Sequence, residues 1–169
     1  MGVYEGKIYF KEYQGPLLAY DIATGSIKTV IDTEEVVHFY INKVSGKIYY
    51  TERNPGCSFK VYDIATGEIK ELDSASNEMI GTRRYYYNLS IITANAEDII
   101  YNKEEQENGT RTTNYYLYNI ESGEKTKLDD NFMSGIYVDG KLYYEVTSGG
   151  DEMYPNYVLK VNSNGTDTV

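Results

Sequence analysis

The segment Lys60-Val61-Tyr62-Asp63-Ile64-Ala65-Thr66-Gly67 returns in altered form along the chain of 169 residues. Its copies are Leu18-Ala19-Tyr20-Asp21-Ile22-Ala23-Thr24-Gly25, Tyr116-Leu117-Tyr118-Asn119-Ile120-Glu121-Ser122-Gly123 and the weaker Val158-Leu159-Lys160-Val161-Asn162-Ser163-Asn164-Gly165. A shorter motif precedes each copy: Gly46-Lys47-Ile48-Tyr49-Tyr50 has counterparts at Gly6–Phe10, Glu97–Tyr101 and Gly140–Tyr144. The chain is therefore organised as four units of about 40 residues, which we expect to form a single domain. We place the units at approximately 2–31, 35–73, 83–129 and 133–169.

Each unit divides into four short strands bounded by turn residues, and no window shows a sustained helical period. In the second unit the strands are predicted at Val36–Lys43, Lys47–Glu52, Phe59–Ile64 and Ile69–Leu72. The glycine that ends each long motif is expected to adopt a positive φ in a hairpin loop. Tight hairpin turns are predicted at Glu5-Gly6 and Asp139-Gly140. The sequence thus predicts an all-β chain.

The third strand of each unit is apolar on both faces, as the alternating residues Phe59, Val61, Tyr62 and Ile64 indicate. A sheet with two apolar faces must be covered on both sides, as happens when the blades of a β-propeller stack around an axis. We therefore predict a β-propeller-like fold of four four-stranded antiparallel blades. Three arrangements are open: a closed four-bladed ring, an open arc, or half of a dimeric eight-bladed ring. Because an open arc exposes two apolar blade faces, self-association through them, as in a homodimer, is also predicted.

The combination of Gly46-Lys47-Ile48-Tyr49-Tyr50, a variable loop and Tyr62-Asp63-Ile64 resembles bacterial propeller repeats of unknown function. These are related to the YWTD propellers of lipoprotein receptors and include a low-density-lipoprotein-receptor-like family. The resemblance implies a propeller fold and a bacterial source more firmly than an activity. Where the receptors carry Trp-Thr-Asp, this chain has Phe10-Lys11-Glu12, Tyr50-Thr51-Glu52 and Tyr144-Glu145-Val146. The ligand recognition of those receptors is therefore not carried over.

The chain is acidic, with 26 Asp and Glu residues against 16 Lys and Arg residues and a formal charge of −10. This balance argues against a nucleic-acid partner, which requires clustered cations. The single cysteine, Cys57, and the single histidine, His38, exclude metal sites built from several residues of either type. We predict no metal site and no cofactor.

No stretch reaches the roughly 18 apolar residues that span a bilayer, and the first residues lack an apolar signal core. Membrane insertion is therefore not expected. We expect an extracellular or cell-surface location if the chain is the trimmed part of a longer protein, and a cytoplasmic location otherwise.

Irregular sequence is concentrated at one end of the predicted blades. In an antiparallel four-stranded blade, the loops between strands two and three and the links between blades emerge at the same end, here called the loop end. The loops are Lys11–Pro16, Arg53–Ser58, Lys103–Asn114 and Thr147–Pro155, and the links are Asp32–Glu35, Asp73–Arg84 and Asp129–Ser134. Loops held by a rigid scaffold commonly carry binding residues, so we predict the binding face here. The alternative is that these segments vary because nothing constrains them.

The candidate binding residues are Arg83, Arg84, Tyr85, His38 and Arg53. The two adjacent arginines run into three tyrosines, a cationic and aromatic cluster that suits a carboxylate-bearing peptide or a sugar. His38 begins an inner strand near the loop end, and Arg53 opens a loop there. The alternative is structural: the tyrosines pack in the core, the arginines cap a link and the histidine is satisfied within the fold.

No catalytic residue is predicted, because the paired carboxylates are adjacent in sequence and no nucleophile or metal-protease motif is present. We expect a non-catalytic binding or scaffold module that presents one loop face to a protein, peptide or glycan. One alternative is a lyase or hydrolase that acts at the central channel with scattered carboxylates and His38. Another is a fragment of a longer propeller without a function of its own. Propeller folds host binding proteins and enzymes, so the fold does not choose between them.

Overall fold

The structure, a computed structural model, describes residues 1–13, 15–33, 35–53, 57–75, 78–80, 83–85, 88–107, 110–128, 132–150, 155–163 and 166–168. Within these ranges the chain forms strands and turns and contains no helix. The first sheet consists of β1 (Gly2–Tyr4), β2 (Lys7–Lys11), β3 (Leu17–Asp21) and β4 (Ile27–Ile31). The second sheet consists of β5 (Val36–Asn42), β6 (Lys47–Glu52), β7 (Cys57–Asp63) and β8 (Ile69–Ala75).

A small hairpin and two further sheets follow. The hairpin consists of β9 (Glu78–Ile80) and β10 (Arg83–Tyr85). The third sheet consists of β11 (Leu89–Ala94), β12 (Asp98–Glu107), β13 (Thr110–Asn119) and β14 (Lys125–Lys127). The fourth consists of β15 (Phe132–Val138), β16 (Lys141–Gly150), β17 (Pro155–Ser163) and β18 (Thr166–Thr168). Neighbouring strands are antiparallel and consecutive in the chain, which confirms the prediction of four four-stranded antiparallel blades.

The turns have the predicted geometry. Glu5 and Gly6 have φ angles of 45° and 71°, and Asp139 and Gly140 have φ angles of 49° and 73°. Two central residues with positive φ are typical of type I′ turns, whose twist matches that of the flanking strands.

The motif Asp-Ile-x-x-Gly is explained by hydrogen bonds around Asp63. Its Oδ1 accepts hydrogen bonds from the backbone N–H groups of Ala65 and Thr66, both at 3.0 Å. The N–H of Gly67, which has a φ of 76°, donates to the carbonyl of Asp63 at 2.8 Å. The aspartate and the glycine therefore close one hairpin loop together.

Two predicted loops and one predicted link are wrong in part. Most of the loop predicted at 103–114 belongs to β12 and β13, which stay paired out to Glu107 and Thr110. The fourth sheet likewise pairs Gly150 with Pro155 inside the loop predicted at 147–155, and the link predicted at 73–84 contains the β9–β10 hairpin. Polar composition is typical of loops, but backbone pairing and the strand preference of threonine extend these strands although no apolar core lies behind them.

The sheets stack through their faces. In β6 the consecutive residues Ile48, Tyr49 and Tyr50 are all buried, although successive side chains of a strand point to opposite faces. The second sheet is therefore covered on both sides. The third sheet shows the same pattern in β12 at Ile99, Ile100 and Tyr101.

The first and fourth sheets are covered on one face only. In β2 only Tyr9 is buried, and in β16 Leu142 and Tyr144 are buried while Tyr143 is partly exposed. Among the described residues the inner strands pack in the order β1, β5, β11 and β15, and the fourth sheet does not return to the first. The chain is an open arc, so the closed four-bladed ring is not formed within one chain.

An apolar cluster fills each of the three interfaces between neighbouring sheets. Between the second and third sheets, the rings of Phe59 and Tyr101 lie 4.8 Å apart. In the same interface the side-chain amide of the buried Asn42 donates to the carbonyl of Ala96 at 2.9 Å. Each interface is therefore a closed core rather than a surface contact.

A charged network also joins the second and third sheets. Asp73 of β8 accepts hydrogen bonds from the hydroxyl of Tyr101 at 2.7 Å and from Lys103 and Lys125 at 3.0 Å each. Burial of Asp73 acts to raise the pKa of its carboxyl group, but the hydrogen bonds from Tyr101 and the lysines outweigh burial and hold that pKa below its usual value. The network therefore stabilises the fold through an ionised carboxylate.

We expect Asp73→Asn to lower the free energy of unfolding by about 3 kcal/mol near neutral pH, because it breaks a buried charge network. The folded-state pKa lies below the unfolded value, so this contribution is present above about pH 4 and is lost as the pH falls through the folded-state pKa. Urea denaturation at several pH values measures the effect. Glu121→Gln, in an exposed turn of the third sheet, should change stability by less than about 0.5 kcal/mol. An effect of Asp73→Asn that is constant with pH would contradict the assignment.

Candidate functional site

A cleft lies at the loop end, between the first and second sheets. Its volume is about 160 Å³, and its lining residues are Lys11, Tyr13, Glu35, Val36, Val37 and Arg53. Lys11 ends β2 and Arg53 follows β6, so equivalent ends of the two second strands meet here. The other side is supplied by Glu35, from the link between the two sheets, and by Val36 and Val37, which begin β5. The site, here called the cleft, is thus built from loop-end segments of both sheets.

A β-bulge shapes the wall of the cleft. In the pairing of β5 with β6, Val36 lies opposite Glu52 and His38 lies opposite Thr51, so Val37 is an extra residue. A bulge bends its strand and redirects the side chains beside it. Beyond the bulge, the N–H of Arg53 donates to the carbonyl of Glu35 at 3.2 Å. The backbone is therefore held by hydrogen bonds up to the edge of the cleft.

The cleft brings two cations together in an acidic chain. Lys11 and Arg53 line it together with the exposed Tyr13. Glu35 adds a carboxylate whose Oε2 is buried and has no hydrogen-bond partner among the described residues. A buried oxygen without a donor is an unfulfilled acceptor. The arrangement can bind a group that offers an anion to the cations and an N–H or O–H to Glu35.

His38 adjoins the cleft on β5. Its backbone N–H donates to the Oγ1 of Thr51 at 3.3 Å, while the residue as a whole is exposed. Partial desolvation by neighbouring atoms lowers the pKa of the imidazole, and the positive charge of Lys11 lowers it further. His38 is therefore neutral near pH 7 and offers one donor and one acceptor nitrogen.

Two of the five predicted binding residues come together at this site: Arg53 lines the cleft and His38 adjoins it. The other three, Arg83, Arg84 and Tyr85, form β10 and pair with β9. Their side chains lie outside the part of the chain that the structure describes. The arginine and tyrosine cluster therefore stays a prediction.

The sequence interpretation missed Lys11, Tyr13 and Glu35 as site residues. They come from separate parts of the chain, and the stacking of the first two sheets brings them together. A signal was present, because all three fall within segments predicted at the loop end. What the sequence did not show is which loops face one another.

Three observations on the described residues bear on the alternative that the chain is an enzyme. Hydrogen bonds from the turn backbones are the main cause of the lowered pKa values of Asp21 and Asp63, so these groups do not hold a proton for general acid catalysis. Burial raises the pKa of the Cys57 thiol, which opposes formation of a thiolate. In the ranges given above, no three His, Cys, Asp or Glu side chains converge to hold a metal ion.

The described part of the chain also contains no helix that is long and apolar enough to cross a membrane.

Comparison with known proteins finds similarity in structure and not in sequence. No family model matches the chain, and no curated protein matches it. TolB from Acinetobacter baumannii is 15% identical with a TM-score of 0.60, over 96% of this chain and 40% of that chain. The β-propeller domain of the Trilobed protease from Pyrococcus furiosus is 13% identical with a TM-score of 0.62, over 96% of this chain and 51% of that chain. An oligogalacturonate lyase in complex with manganese is 13% identical with a TM-score of 0.60, over 95% of this chain and 48% of that chain.

These similarities confirm a propeller-type fold. The chain spans about half of the length of these structures, or less. The structures include the propeller domain of a protease and a lyase, and identities of 15% or less carry no activity over to this chain. The finer resemblance to YWTD propellers stays a prediction.

The position of Lys11 beside His38 can be tested by titration. His38 is the single histidine of the chain, so the NMR signals of its imidazole can be assigned without ambiguity. We expect these signals to report a pKa below the ordinary value of about 6.5. Lys11→Gln should raise the pKa of His38 part of the way back, because burial is the larger cause of the shift and remains. The control is Lys7→Gln, at the other end of β2, which should leave the pKa of His38 unchanged. Equal effects of the two variants would contradict the geometry.

Proposed function

We propose that this chain is a non-catalytic binding module whose cleft binds a carboxylate carried by a peptide or a glycan. The observation that carries the proposal is the meeting of Lys11 and Arg53 in one cleft with the buried oxygen of Glu35, which has no hydrogen-bond partner in the described part of the chain. The chain as a whole is strongly acidic, so two cations at one concave position make a local exception that favours an anionic group.

The four polar residues of the cleft have distinct roles in this proposal. Arg53 offers a planar guanidinium that forms paired hydrogen bonds to a carboxylate, and Lys11 adds a second positive charge. Tyr13 offers an exposed ring against which a sugar or a peptide side chain can pack. Glu35 accepts a hydrogen bond from an N–H or O–H group next to the bound carboxylate. Both a terminal peptide carboxylate and a uronic-acid-type sugar combine these groups.

An enzyme acting at the central channel has less support. That hypothesis calls for carboxyl groups at the channel whose pKa is raised. Among the described residues, the carboxyl groups with a shifted pKa are Asp21, Asp63, Asp73 and Glu105, and in each the pKa is lowered. A bacterial cell-surface role and kinship with the YWTD propellers belong to the binding proposal and depend on the resemblance of the repeats alone.

Arrays of acidic and neutral glycans, and of peptides with free and amidated C termini, give the first test. We expect binding in the carboxylate-bearing arms only, and weaker binding as the salt concentration rises. For the ligand with the strongest signal, calorimetry should show about a tenfold loss of affinity in Arg53→Ala and in Lys11→Gln, since each removes a charge-assisted contact.

The matched control is Lys28→Gln, which removes an exposed cation from β4 of the same first sheet outside the cleft. It should bind as the wild type does. Equal losses in all three variants would indicate a general charge effect, and unchanged binding in Arg53→Ala and Lys11→Gln would place the ligand elsewhere. Either result would overturn the proposal.

A further inference from the structure

Each end of the arc has an apolar face that nothing in the described chain covers. The free face of the first sheet contains Val3, Ile8, Phe10, Leu18 and Tyr20, which share one side of the sheet through the pairs Val3–Ile8, Ile8–Tyr20 and Phe10–Leu18. The free face of the fourth sheet contains Ile136, Val138, Tyr143, Tyr157 and Leu159. An open groove of about 570 Å³ runs along this second face.

Comparison with the inner sheets shows how unusual this exposure is. Leu159 occupies the position of Phe59, because Glu145–Leu159 and Thr51–Phe59 are equivalent pairs. Leu159 is 62% exposed and Phe59 is 0% exposed. At the other end Val3 occupies the position of Ile41, with exposures of 48% and 7%. Identical positions are therefore core residues inside the arc and surface residues at its ends.

The three inner interfaces follow one packing rule. In each interface, a residue from the third strand of one sheet lies in the same cluster as an aromatic residue from the second strand of the next sheet. They meet in one apolar cluster each time, as Leu17 with Tyr50, Phe59 with Tyr101, and Tyr115 with Tyr144.

The two ends of this series are Leu159 and Phe10. The cross-strand pairs show that Leu159 is the corresponding third-strand residue of the fourth sheet, and that Phe10 is the corresponding second-strand aromatic residue of the first sheet. Within the described residues of one chain, neither packs against the partner that the rule assigns to it. The two free faces are thus the two halves of an interface that the chain already forms three times.

We propose that two copies of this chain close a ring of eight sheets, in which Leu159 of each copy packs against Phe10 of the other. One two-fold axis then covers all four free faces by repeating an existing contact, and a closed ring leaves no apolar face unpaired. Two copies also match the length of a whole propeller, because this chain covers 51% of the length of a solved propeller domain. A different partner would have to be complementary to the free face of the first sheet and, separately, to the free face of the fourth sheet. The inference does not depend on the proposed ligand of the cleft.

Light scattering coupled to size-exclusion chromatography tests this on the whole chain. We expect the wild type at twice the chain mass of 19.3 kDa at micromolar concentration. Phe10→Lys and Leu159→Glu should each be monomeric, since each places a charge in both interfaces of the ring. An equimolar mixture of the two variants should form a dimer again, because one interface is then wild type and the other joins lysine to glutamate.

The mixture also guards against misfolding, because a variant that fails to fold cannot regain a partner. Val44→Glu is the matched control: Val44 is an exposed apolar residue in a turn of the second sheet, away from both free faces, and its variant should remain dimeric. A monomeric wild type, or an assembly of any number of copies other than two, would overturn the ring. Loss of the dimer in Leu159→Glu but not in Phe10→Lys would indicate that the fourth sheets of the two copies pack against each other. This result would also overturn the ring.

Discussion

The structure depends on the apolar character of both faces of every sheet. A strand such as β6 presents Ile48 and Tyr50 to one neighbour and Tyr49 to the other, so the second sheet is stable only between two others. Fully burying one such side chain contributes about 1.5–3 kcal/mol, and each interface contains several. Sheets built in this way stack in sequence, and each one stabilises its neighbours rather than a common centre.

Stacking also creates the cleft. When two sheets pack face to face, their strand ends and the link between them lie at the same edge. Polar side chains at the strand ends lie outside the apolar interface and line this edge. Lys11 and Arg53 are such residues, each following the apolar part of a second strand. The bulge at Val37 then opens the edge by bending β5 away from a regular ladder. The site is thus a by-product of the packing that holds the first two sheets together.

Local features of this fold were predictable because they are encoded in short segments. The turn around Asp63 and Gly67 needs only its own side chain and backbone, and the repeat makes it visible several times in the sequence. The polar hairpin out to Glu107 was not predicted, since backbone pairing leaves little trace in hydrophobic patterning. The cleft was found only in part: Arg53 was named, but Glu35 meets it through tertiary packing, which no single segment encodes.

Cys57 has a consequence that reaches beyond its own chemistry. It is the only thiol of the chain and is buried in the apolar cluster between the second and third sheets. A thiol reagent reaches this buried group only when the structure around it opens, either locally at the start of β7 or between the two sheets, so its rate of alkylation reports how often this part of the arc opens in an otherwise native molecule. Cys57 is therefore an intrinsic probe of this opening, and no label has to be introduced.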